Sequence, residues 1–112
     1  MRTLDLVVTH HWFDMIVSRK KTEEYREIKT YWRNRFGCQA SGICTPRQAC
    51  KAARVRGICD NRYSCVRFRR GYTSTTVKFE IERISVGIGK PEWGAPINHE
   101  VYIIKLGQKI EQ

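Results

Sequence analysis

The chain predicts an α+β fold: a small curled sheet or barrel of mostly antiparallel strands with two or more short helices. Three observations lead there. The second half alternates apolar and polar residues through consecutive segments, with no helical stretch between them. That alternation changes parity near Arg83, which calls for a bulge or bend. The first half holds two short segments of helical spacing, with one or two further helical turns open at Ala49 to Arg56, whereas a parallel doubly wound sheet needs helices between its later strands.

Taken in order, Leu4 to Thr9 is a short apolar run with two valines and reads as a strand. Thr9 is placed to cap the next segment. There Phe13, Ile16 and Val17 recur at helical spacing up to about Arg19. Thr22 to Glu27 is expected to be extended or irregular, and Ile28 to Phe36 to form a second short helix. Cys65 to Arg70 puts Val66 and Phe68 on one face and Arg67 and Arg69 on the other. Val77, Phe79 and Ile81 make the next inward set. After the parity change Ile84, Val86 and Ile88 follow. Pro91 to Pro96 is a loop by its breakers, and Val101 to Leu106 is a last strand that Gly107 should end. At 112 residues the chain reads as one domain over 1–112, with a Cys- and Arg-rich insertion at about 37–60 that shows no sustained period.

Charge narrows the partners. The formal net charge is +10, of which +7 falls on residues 37–70. Such a field favours phosphate backbones or another anionic surface. Arg47, Lys51, Arg54, Arg56, Arg67, Arg69 and Arg70 form the expected nucleic-acid backbone stripe. The bland alternative is a solvated edge whose cations block strand pairing. No stretch approaches the apolar length of a membrane span, and no signal peptide is visible at the start. The expectation is a cytoplasmic protein whose five cysteines are mostly reduced, with no membrane partner. Cys38, Cys44, Cys50 and Cys59 contain no C-x-x-C pair. A four-thiolate zinc site in the insertion stays open as an alternative to plain thiols, and no cofactor is favoured.

The densest chemistry lies in residues 18 to 26, Ser-Arg-Lys-Lys-Thr-Glu-Glu-Tyr-Arg. Lys20, Lys21, Glu24 and Arg26 are candidate ligand-binding residues. Such charges either ladder along a surface or line a polar cleft, because an unpaired charge is costly to bury. In an extended segment Glu24 and Arg26 share a face, so Lys21 joins them only across a turn at Thr22-Glu23. Trp12, Tyr72 and Trp93 are the aromatics best placed to stack on bases beside such a cleft.

Lys21, Glu24 and Arg26 also carry a resemblance. They match the last three positions of the motif G-x-K-x-x-E-x-R of the ASCH domain, a member of the PUA-like barrel superfamily, with Arg19 at the glycine position. Trp12-Phe13-Asp14-Met15-Ile16, Tyr31-Trp32, Arg70-Gly71-Tyr72, Glu92-Trp93-Gly94 and Tyr102 to Gly107 are similar to small bacterial and phage ASCH proteins. The likeness covers the chain outside 37–60. It implies a PUA-like β-barrel with a cleft beside the first helix, binding RNA or a nucleotide. Some members of the family are small hydrolases, acting on acetylated cytidine as amidohydrolases or on RNA as ribonucleases. That would make Lys21 and Glu24 catalytic, although the amidohydrolase type has threonine where Glu24 stands. Whether the chain is an enzyme is left open by its residues. So is a third reading, in which the Cys-rich insertion is a protein-interaction module.

Overall fold

The computed structural model describes residues 3–36 and 63–110. Strand β1 (Thr3–Val8) leads into helix α1 (His10–Val17), strand β2 (Glu23–Arg26) and helix α2 (Thr30–Phe36). Strands β3 (Cys65–Arg70), β4 (Thr76–Ile88) and β5 (Glu100–Ile110) follow, with a 3-10 turn at Pro91–Trp93 before the last. They form one five-stranded sheet in the order β1-β3-β4-β5-β2. The fold is therefore α+β, a curled mixed sheet forming a half-barrel, with two short helices among the described residues. Three of the four strand pairs are antiparallel, and β1 runs parallel to β3. No helix among the described residues is long and apolar enough to cross a membrane.

Alternation builds the core. Leu4, Leu6 and Val8 of β1 face Val66 and Phe68 of β3, Val77, Phe79 and Ile84 of β4, and Tyr102, Ile104 and Leu106 of β5. Phe13 and Ile16 of α1 and Phe36 of α2 cover this apolar face. The register of β4 against β5 slips twice, between Phe79 and Ile81 and between Ile81 and Arg83. These bulges produce the parity change at the expected place and curl the sheet.

Three details differ from the sequence expectation. Val17 is 40% exposed, because it lies about 100° round the helix from Ile16, on the rim of the buried stripe. Ile88 has the expected parity but pairs with Glu100 at the end of the sheet, past the last core residue of β4, and is 56% exposed. Gly107 does not end β5, which pairs on to Ile110 opposite Lys78. At Gly107 a Cβ would lie 3.3 Å from the Cβ of Glu80, so glycine serves close approach at the bulge.

Helix α1 ends in a way that sets up the site. Arg19 sits at φ 64°, in the left-handed region. Its N–H donates to the Ile16 carbonyl, and those of Lys20 and Lys21 both donate to the Met15 carbonyl. This is a Schellman stop, where glycine is the usual residue. The chain reverses there, and the Thr22 carbonyl accepts from Leu106 N–H. Lys21 is thereby turned inward before β2 begins.

Candidate functional site

The half-barrel leaves β1 and β2 as the two edges of the sheet, and the charged segment occupies the seam between them. Lys21 Nζ lies 3.0 Å from Glu24 Oε1, and Arg26 Nη2 lies 3.0 Å from Glu24 Oε2. Arg26 Nη2 also donates across the seam to the Val7 carbonyl of β1 at 3.1 Å. The three side chains converge, although not through a turn at Thr22-Glu23: the chain turns earlier, at residues 18–20, and Glu23 already belongs to β2. Lys21 precedes the strand, and Glu24 and Arg26 share one face of it.

Aromatic rings dry this network. Lys21 Nζ sits 4.2 Å from the centre of the Trp12 ring and donates to the Trp93 carbonyl at 2.5 Å. Arg26 lies 5.4 Å from the Trp32 ring centre. Lys21 and Glu24 are buried, at 1% and 5% exposure. Burial lowers the pKa of Lys21, the Glu24 carboxylate opposes this by charge and hydrogen bond, and Arg26 adds to the lowering. Behind Glu24, Tyr25 packs against Ala95 and Val101. Its hydroxyl donates to Glu23 Oε1 at 2.8 Å and accepts from Lys90 N–H at 3.0 Å. Burial pushes the Tyr25 phenol well above its ordinary range.

These two groups predict a pH profile of stability. Folded Lys21 gives up its proton below the ordinary 10.5, so between its folded value and 10.5 the unfolded chain binds more protons and stability rises with pH. Tyr25 ionises at a higher pH folded than unfolded, so its contribution is lost above the ordinary 10.0. Urea unfolding from pH 7 to 11 should show the rise flattened in Lys21→Met and the alkaline fall reduced in Tyr25→Phe.

A hollow of about 240 Å³ opens on the network, lined by Val7, Val8 and Thr9 of β1, Trp12 of α1, Lys21, Glu24, Tyr25, Arg26, Trp93 and Gly94. A broader one of about 850 Å³ adjoins it, sharing Tyr25, Arg26 and Gly94 and adding Trp32, Lys29, His99 and others. Of the sequence-predicted ligand residues, Trp12, Lys21, Glu24, Arg26 and Trp93 meet at the smaller hollow. Lys20 and Tyr72 do not line it. Lys20 is exposed, and Tyr72 is 97% exposed at the β3–β4 turn. Arg19 likewise leaves the hollow alone, since its Nη1 donates to the Gly107 carbonyl at 3.1 Å and its guanidinium lies over Phe79.

On the outer face of β3, Arg67 pairs with Asp5 at 3.3 Å and Arg69 donates to the Thr73 carbonyl. Arg70 grips Asp14 through two hydrogen bonds, which holds the Asp14 carboxyl below its usual range. Val7, which lines the charged hollow, also lines a small groove with Asp5, Leu6, Arg67 and Arg69. Arg47, Lys51, Arg54 and Arg56, with Cys38, Cys44, Cys50 and Cys59, lie outside the described residues. Among those described, no group of three or more His, Cys, Asp or Glu side chains could hold a metal ion. Cys65 is a buried thiol 3.2 Å from the Thr3 hydroxyl.

Sequence reasoning missed Tyr25, Trp32 and His99 as lining residues. Tyr25 had a signal in its place between two motif residues, whereas His99 had none, because only the strap before β5 brings it to β2. Fold and site together define a half-barrel with a buried ionic network at its open seam. No family model matches the chain, and no curated protein or solved structure does so either.

Proposed function

We propose that the chain is an ASCH-type, PUA-like domain that binds RNA or a nucleotide in the seam hollow. The observation that carries this reading is the convergence of Lys21, Glu24 and Arg26 on one hollow ringed by Trp12, Trp93 and Tyr25. Rings over a fixed set of hydrogen-bonding charges suit a heterocycle, whose faces stack and whose edge is read. The adjoining broader hollow gives a sugar and phosphate somewhere to go, at a volume usual for small-molecule sites. A strand leaving across Val7 meets Arg67 and Arg69, while Arg47, Lys51, Arg54 and Arg56, outside the described residues, add to the chain's net positive charge. Binding takes precedence over hydrolysis because Lys21 is held by Glu24, the Trp93 carbonyl and the Trp12 face, which leaves it poorly placed to take a proton.

Fluorescence anisotropy with short single-stranded RNA at low and high salt tests the proposal. Binding is expected at low salt and should weaken in Lys21→Ala and Arg26→Ala. Arg67→Ala with Arg69→Ala should mainly lower the salt slope, by about 0.7 for each phosphate that is no longer neutralised. RNA that fails to bind at low salt, or binds the two seam variants as well as the wild type, would refute the reading.

A further inference from the structure

We infer that of the three charged residues of this site Arg26 alone grips the ligand, through an oxygen acceptor lying in the plane of its guanidinium, while Lys21 and Glu24 are positioning residues that aim it. This rests on the nucleotide-binding reading above.

Three observations separate the roles. The first is access. The side chains of Lys21 and Glu24 are 1% and 7% exposed, that of Arg26 is 22%, and Arg26 lines both hollows. The second is prior commitment. Lys21 has Glu24 Oε1, the Trp93 carbonyl and the Trp12 ring around its ammonium, and each oxygen of Glu24 already faces a cation. The third is unused capacity. Arg26 makes its ion pair with Glu24 and its hydrogen bond to the Val7 carbonyl through Nη2 alone, and its buried Nε–H has no acceptor among the described residues. A guanidinium is a planar fork of five donors. With one arm pinned and the plane set beside Trp32, the exposed end of the fork is held ready for a carbonyl or phosphoryl oxygen entering where the two hollows meet, and the buried Nε–H in the same plane reports its arrival.

NMR of the full-length protein, labelled with 15N, reads this directly. Arg26 Nε–H is assigned by its disappearance in Arg26→Lys. The probes are the four nucleosides, their 5′-monophosphates and a mixed-sequence single-stranded RNA, with the backbone amides of Val7, Trp12 and Gly94 reporting occupancy. The expected result is a downfield shift of Arg26 Nε–H and slower exchange with water as the amides report binding. A shift with nucleosides assigns the oxygen to the base, and one that needs the phosphate assigns it to the phosphoryl group. Arg26→Lys, which keeps the charge and loses the fork, should bind at least about tenfold more weakly. Amide shifts with an unmoved Arg26 Nε–H overturn the inference and leave nucleotide binding standing. Amide shifts with none of the probes overturn both.

Discussion

Glu24→Ala is expected to lower the free energy of unfolding by about 3–5 kcal/mol, among the largest losses any single substitution in this chain should cause. The carboxylate neutralises two cations at once, and one of them, Lys21, is 1% exposed and cannot turn to water. Removing Glu24 leaves that ammonium buried with the Trp93 carbonyl and the faces of Trp12 and Tyr25 as its partners among the described residues. The melting temperature should fall by an amount on the order of 15 °C. The double variant Lys21→Met, Glu24→Leu should recover much of the loss, since it leaves no buried charge unpaired and Arg26 has some access to solvent. Calorimetry on the two single variants and the double variant measures this coupling. A loss under about 1 kcal/mol for Glu24→Ala would mean that the pair is solvated, as surface pairs are.

Gly89→Ala is expected to cost about 1–3 kcal/mol and to weaken ligand binding with it. A Cβ there would come within 2.6 Å of the Tyr25 ring and 2.7 Å of Ala95, and neither can move freely. Tyr25 is held by Glu23 and by the N–H of Lys90, while Ala95 belongs to the strap that carries the Trp93 carbonyl to Lys21. The clash is thus passed along the strap to the ionic network. Gly87→Ala is the matched control, because its Cβ would sit 3.4 Å from the flexible end of Ile103. Urea unfolding of both variants, with RNA anisotropy alongside, should separate them clearly. Equal stability in the two would show that the strap moves aside at little cost.

Much of this architecture was legible along the chain. Strands β1, β3 and β4 each bury one face, so a period of two is written into Leu4-Leu6-Val8, Val66-Phe68 and Val77-Phe79. The bulge was legible because it inverts that period. The ionic segment stood out because charges at that density are either solvated or paired. The extent of β5 and the exposure of Ile88 were not legible, since both depend on how far neighbouring strands reach. Nor did the motif disclose that the bulky Arg19 turns away to Gly107, a hydrogen bond between residues far apart in sequence.

What local chemistry determined by itself was the alternation, the caps and breaks, and where along the chain the ionisable groups are densest. Only tertiary structure decided that β1 and β2 would both be edges, that their seam would stay open, and that Lys21 and Glu24 would be dry while Arg26 kept a face to the hollow. The physical reason is range. Side-chain parity and turn chemistry are set by neighbours in the chain, whereas the solvation of a charge is set by everything that packs around it.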